Sequence, residues 1–352
     1  MKSALNRNLA IDWIKGLLIT FVVIEHTWVS GFRGHLAVEV FFFISGFYLM
    51  QHFLRKPTTT ICYTWSRIRG IFPPFFICLL LSCLIQYKRF IPVDSFDSLV
   101  NNATTFFSTF TFTKDSGIDV SNETFLIGSW FLEVLIIGSF ILYGILEYNE
   151  RLACLILLPL FSLLGFNALF TIYDSVDSSN LFNRIGIIPI PLLRGISWMA
   201  IGALIGKIYS TYRSSIERHP VFVNTMGIIS FGIFILLLFT EESYDKYAVI
   251  TVPWFLLAAV FDGSWLNHAL HRINGSLFSR IGQYTLYILC VHYPAMTVAY
   301  WINDHILNSS ITGFTLVLYL AIMVGIAAYL LSFLCFNILN HCFVRQSDHT
   351  RI

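Results

Sequence analysis

The chain has 352 residues, 56% hydrophobic and 12% charged, with a formal charge of +2 and a mean hydropathy of +0.72. Soluble domains carry about 25% charged residues, so a single water-soluble core is excluded and the solvent is a bilayer. The 22 Lys and Arg are spread over short connections without a basic run, which argues against a nucleic-acid partner.

A bilayer core about 30 Å thick requires roughly 20 mostly apolar residues per helix. Ten runs meet this, near 10–29, 36–54, 71–87, 127–146, 152–172, 187–209, 221–240, 247–265, 282–303 and 312–340. The first carries Asp12, Lys15 and His26 and has no small-residue cleavage site after it, so it is expected to stay as a span rather than be removed. Pro189 and Pro191 predict an irregular entry to the sixth run. The segment 88–126 is rich in Ser, Thr, Asn and Asp; it reads either as an extracytoplasmic lid or acceptor-binding loop or as a plain connector. Alternate connections divide the loop cations into fourteen on one side and six on the other, the six being Arg33, Lys88, Arg89, Lys114, Arg184 and Lys246. The richer side is cytoplasmic. The expected fold is therefore an all-α polytopic bundle of about ten transmembrane helices, one domain over 1–352, with both termini in the cytoplasm. None of the seven cysteines has a partner at zinc or redox spacing, and no metal is expected.

Ionisable groups inside a span cost at least about 2.5 to 3.5 kcal/mol each on insertion scales, so they mark cavities or function. Asp12, Lys15 and His26 share a stripe of the first helix, because at ~100° per residue eleven steps return to within about 20° of the same face. Lys15 and His26 are then about 16 Å apart along the axis. Asp12 and Lys15 form either a neutralising pair or a functional one, and His26 is either a hydrogen-bonded link between helices or a catalytic group. Glu25 points about 100° off that stripe, toward a neighbouring helix.

The residues Arg7, Ile-Asp12-Trp-Ile-Lys15-Gly16 and His26 resemble the opening of the membrane-bound acyltransferase-3 family, in which a basic residue precedes an essential histidine by eleven positions. Val40-Phe-Phe-Phe-Ile-Ser45-Gly46-Phe is similar to that family's second span, and Trp65-Ser-Arg67-Ile-Arg69-Gly-Ile-Phe-Pro73 to its basic stretch before a proline. Ser129-Trp130-Phe-Leu-Glu133 and Ile281-Gly282-Gln-Tyr284-Thr-Leu-Tyr287-Ile-Leu-Cys-Val-His292 resemble its later motifs, in family order. Two departures stand out. The family usually has Arg where this chain has Lys15, which lacks the planar fork for bidentate contacts, and its two arginines are normally three apart, whereas Arg67 and Arg69 are two apart.

The resemblance implies an O-acyltransferase that moves an acyl group, most often acetyl from cytoplasmic acyl-CoA, to a hydroxyl of a surface glycan or its lipid-linked precursor, in a bacterial inner membrane. Acyl-CoA is then a donor substrate and no cofactor is bound; the remaining partners are the sugar acceptor and membrane lipids. Lys15, Arg67 and Arg69 would hold donor phosphates. His26 would be a general base or the carrier of an acyl-histidine. Glu25, Glu39 and Glu133 are candidates to orient it, as a carboxylate does in a triad. Asp12, Glu39, Ser45, Trp130, Arg194, Tyr284 and His292 are candidates for the cavity or acceptor site, each with a structural alternative. The remaining histidines, including His35, His52, His268 and His271, sit in loops or at span ends and need no special role. A transporter, with intramembrane charges lining a path but no chemistry, is the chief competing reading, and a subunit of a glycan-assembly complex is a third.

Overall fold

The computed structural model describes residues 8–27, 31–85, 96–114, 125–126, 128–173, 184–273, 277–306 and 313–349, the side chains of 217, 313–314 and 337–349 excepted. Arg7, Lys88 and Arg89, with most of the 88–126 segment outside its helix, lie beyond these residues. The helices in chain order are α1 (Leu9–Glu25), α2 (Leu36–Arg55), α3 (Thr60–Ile85), α4 (Phe96–Phe110), α5 (Ser129–Tyr148), α6 (Glu150–Tyr173), α7 (Ile190–Arg218), α8 (Pro220–Leu237), α9 (Ala248–Val260), α10 (Trp265–Arg272), α11 (Leu277–Gln283), α12 (Thr285–His305) and α13 (Gly313–His349). Eight of them are long and apolar enough to cross a membrane, or nine if the segment through α9 and α10, bent by 63°, is one span. Each of the ten apolar runs of the sequence has a helix at its position, α1 and α9 being the short ones at 17 and 13 residues.

The chain is an all-α membrane bundle. Its only strands among the described residues are Arg184–Ile185 and Ile188–Pro189, an antiparallel hairpin turning at Gly186 with φ +61°. This hairpin is the irregular entry that the prolines predict; Pro191 then sits in the first turn of α7, where its missing N–H costs no helical bond.

Burial separates interior from periphery. Helices α2 and α5 are 78% and 67% buried over their apolar windows, whereas α3, α6 and α8 are 33% and α13 is 22%. The lightly buried helices expose Leu, Ile and Phe side chains, such as Leu163, Leu236 and Phe336, to what must be lipid. The central crossing of α2 with α7 is set by glycine. A Cβ on Gly46 would lie 1.9 Å from the Met199 carbonyl oxygen, and one on Gly202 would lie 2.2 Å from that of Phe43. The crossing of α1 with α11 repeats the device with Gly16 and Gly282, whose missing Cβ atoms would strike backbone oxygens of Phe278 and Asp12 at 1.8 Å. Small residues of this kind let helix backbones touch in lipid, where packing rather than the hydrophobic effect drives association.

The sequence read 88–126 as loop, but 96–110 is helical. Its hydroxyl side chains stabilise rather than break it: Ser108 and Thr109 both donate to the Thr105 carbonyl, and Thr111 donates to that of Phe107. The helix buries this polar stripe and leaves Phe96 and Phe107 exposed, while Phe110 meets the rings of Phe72 and Phe76 on α3.

Candidate active site

Helix α1 starts on Asn8, whose Oδ1 accepts from the N–H groups of Ala10 and Ile11 at 3.0 and 3.3 Å, and Asp12 in its first turn complements the helix dipole. It ends on His26, the C-cap residue. Placement at a helix end frees the imidazole from the wall of its own helix and turns it onto α12. There Tyr293 Oη lies 3.2 Å from His26 Nδ1, and the His292 ring stacks on His26 at 5.3 Å with an interplanar angle of 25°.

The His292 tautomer follows from its partners. Nδ1 is 2.8 Å from the Leu289 carbonyl and 3.2 Å from that of Ile288. Carbonyl oxygens only accept, so Nδ1 carries the proton, and in the neutral ring Nε2 is left as an acceptor. His292 is buried. The start of α5 closes over it, since a Cβ on Gly128 would be 3.4 Å from His292 Cε1.

The first turn of α5 leads from this histidine pair to a second cluster. Trp130, two residues after Gly128, lies under the Arg194 guanidinium at 5.3 Å, a cation–π geometry. Arg194 Nε bonds Glu39 Oε1, and both side chains are almost wholly buried, at 2% and 0% exposure. Glu133, also 0% exposed, is one turn further along α5. Glu39, Trp130 and Arg194 therefore come together from α2, α5 and α7, although they are scattered over 155 residues of sequence.

Glu25 is placed differently. Its carboxylate takes a 2.8 Å contact from His35 Nδ1, whose Nε2 is 3.2 Å from Arg33 Nη2. Arg33 in turn holds Asp245 at 2.6 Å and the carbonyls of Glu241 and Leu238 at 2.9 Å. A guanidinium only donates, so His35 Nε2 accepts and Nδ1 donates to Glu25. Thus Glu25 anchors the far end of α1 to α2 and to the α8–α9 connection, next to His26 but turned to another partner. Sequence reasoning missed His35, Arg33 and Asp245 as a set, and also Tyr293.

The remaining predicted residues fall elsewhere. Asp12 is buried beside α11 and Lys15 is half-buried one turn away. Ser45 is half-buried on α2, next to the glycine of the α7 crossing. Tyr284 caps α12 at its start, eight residues before His292 and so about 12 Å from it along the helix. Arg67 and Arg69 diverge on α3, as two residues at ~100° each must. Arg67 is half-buried with Nη1 3.0 Å from Tyr63 Oη, whereas Arg69 is exposed and lies over the ring of exposed Trp65 at 5.2 Å. Pro73 and Pro74 lie inside α3, so the carbonyls of Arg69 and Gly70 have no i+4 N–H to accept from.

These features define an integral, multi-pass membrane protein with a histidine pair and a buried carboxylate–guanidinium cluster between its helices. A family model described as an acyltransferase domain matches residues 8–336, nearly the whole chain, and the protein belongs to the acyltransferase-3 family of membrane acyltransferases. No curated protein and no solved structure matches it.

Proposed function

We propose that this acyltransferase moves an acyl group, acetyl in the first instance, from cytoplasmic acyl-CoA to a hydroxyl of a surface glycan or its lipid-linked precursor, in a bacterial inner membrane. The observation that carries the reading is the position of His26 at the end of α1, held by Tyr293 and stacked on His292, with basic residues Lys15 and Arg67 on the stretches that the loop charges assign to the cytoplasmic half. With both termini inside, the donor enters beside α2 and α3 and its pantetheine arm extends toward His26.

In the productive tautomer His26 Nδ1–H donates to Tyr293 Oη, which leaves the Nε2 lone pair to take the proton of the acceptor hydroxyl. The hydroxyl oxygen attacks the thioester carbonyl, the C–S bond breaks, and the thiolate recovers the proton from the imidazolium. Arg194, braced by Glu39 and Trp130, supplies positive charge on the acceptor side. Glu133, one turn after Trp130 on α5, is a further buried carboxylate.

Full-length protein reconstituted in liposomes with acyl-labelled acetyl-CoA tests this: label is expected to pass to added acceptor with one free CoA per acyl group transferred. Free CoA without labelled acceptor, or transport of the glycan with no thioester loss, would sink the reading. A second expectation concerns Tyr293. Tyr293→Phe should lower kcat roughly three- to tenfold, the worth of one hydrogen bond, with the donor KM little changed; an unaltered kcat would remove Tyr293 from the mechanism.

A further inference from the structure

Away from the histidine pair, the ends of α2, α3 and α5 enclose a second polar cluster. Its centre is Tyr63, which stacks on Tyr143 at 4.3 Å and 13°. Tyr143 is itself fixed, because its hydroxyl accepts the Thr58 N–H at 3.0 Å. The His52 ring packs on Tyr63 at 5.0 Å, and Arg67 reaches Tyr63 twice, with its guanidinium over the ring at 5.7 Å and Nη1 on the hydroxyl at 3.0 Å.

Three polar atoms in this cluster are buried and have no hydrogen-bond partner among the described residues: His52 Nδ1, Arg67 Nε and Thr64 Oγ1. Thr64 is 7% exposed. Leaving such groups unpaired in a protein interior is costly, so their shared character matters. Arg67 Nε can only donate, and the other two can donate. No carboxylate among the described residues pairs with Arg67; the nearby Glu147 is already taken by the N–H and hydroxyl of Thr60. Exposed Arg55 and Lys56 stand at the rim, and the charges of Lys56 and Arg67 both act on the His52 ring. A cluster in which all three unpaired atoms can donate, with cations around it, suits an oxyanion with several acceptor oxygens.

We propose that His52, Thr64 and Arg67 bind the diphosphate of the acyl-CoA donor. The proposal rests on the reading of acyl-CoA as donor and sharpens it: Arg67 contacts the phosphates together with two residues outside the basic motif, and Arg69, on the other face of α3 over exposed Trp65, does not. The Tyr63–Tyr143 stack is the rigid floor that holds the two donors of Arg67 and His52 at fixed positions.

The same oxyanion chemistry is offered by a phospholipid headgroup, so the test separates the two. CoA binding to full-length protein in zwitterionic nanodiscs is measured by calorimetry, with pantetheine, which lacks phosphate, as the control ligand. His52→Ala and Thr64→Val are each expected to weaken CoA roughly ten- to hundredfold and leave pantetheine unchanged. His52→Asn, whose amide nitrogen sits near the Nδ1 position, should recover much of the loss, and His52→Gln should not. Size-exclusion profiles and thermal unfolding confirm that each variant is folded; if His52→Ala is not, the Asn and Gln pair carries the test. Variants that bind CoA like the wild type while still transferring label overturn the subsite and leave the function standing. A wild type that neither binds CoA nor takes label from acetyl-CoA overturns both. Competition of inorganic pyrophosphate by phosphatidylglycerol but not by CoA would assign the pocket to lipid and overturn the donor assignment.

Discussion

His26→Ala is expected to lower acyl transfer about 10²- to 10⁴-fold, the usual worth of a positioned general base, while the protein inserts and accumulates normally. The small stability effect follows from its place: a half-buried ring at a helix end contributes the Tyr293 hydrogen bond and ring contacts, not a core side chain. The measurement is acetylation of surface glycans by mass spectrometry, paired with the membrane level of the protein. Retained acetylation at normal protein level would exclude His26 as base and as acyl carrier, and would move the chemistry to His292. A pair of outcomes also separates the two roles of His26. A general base leaves no trapped intermediate, whereas an acyl-histidine would carry label on the intact protein when acceptor is withheld.

The second large effect is on folding. Glu39 and Arg194 are 0% and 2% exposed and joined to each other, so removing one takes a buried counter-charge away from the other. Glu39→Ala or Arg194→Ala is expected to destabilise the protein by about 3 to 5 kcal/mol, read as a lowered thermal midpoint in detergent and a reduced membrane level. The double variant Glu39→Leu with Arg194→Met replaces the pair by apolar groups of similar volume and should recover most of that stability. It should not recover transfer, because the cation over Trp130 is gone. A double variant as unstable as either single one would show that the pair is not what holds α2 to α7, and full activity in it would remove Arg194 from the acceptor side.

Much of the bundle was legible in the sequence because lipid imposes a simple rule: about twenty apolar residues per crossing, with charges at the ends. The exceptions have physical causes. Helix α4 was read as loop because Ser, Thr and Asn usually compete with the helical backbone; here their hydroxyls donate back to carbonyls of the same helix, and the polar stripe faces inward. Helix α3 begins at Thr60, eleven residues before its apolar run, since Glu147 of α5 satisfies the Thr60 N–H.

The site was less legible. His26 and His292 stood out as polar residues on apolar helices that also fit a family pattern. Tyr293 did not, because it is one of 16 tyrosines in the chain and only the approach of α12 to the end of α1 brings its hydroxyl to Nδ1. Glu25 was expected to orient its neighbour, but adjacent residues on a helix diverge by ~100°, and its carboxylate meets His35 instead. His52 had no signal at all: its ring is defined by Tyr63 and Tyr143, 11 and 91 residues further along the chain.

The contact between Arg33 and Asp245 also orders events during synthesis. The two residues are 212 positions apart, and at roughly 5 to 20 residues per second the ribosome takes about 10 to 40 s to travel from one to the other. α1 is complete before that interval begins and α2 soon after, while the guanidinium that will fasten them waits for its carboxylate. The hairpin that carries His26 is thus assembled early and fastened late, and a nascent chain stopped before Asp245 lacks the carboxylate that holds this cation in the finished protein.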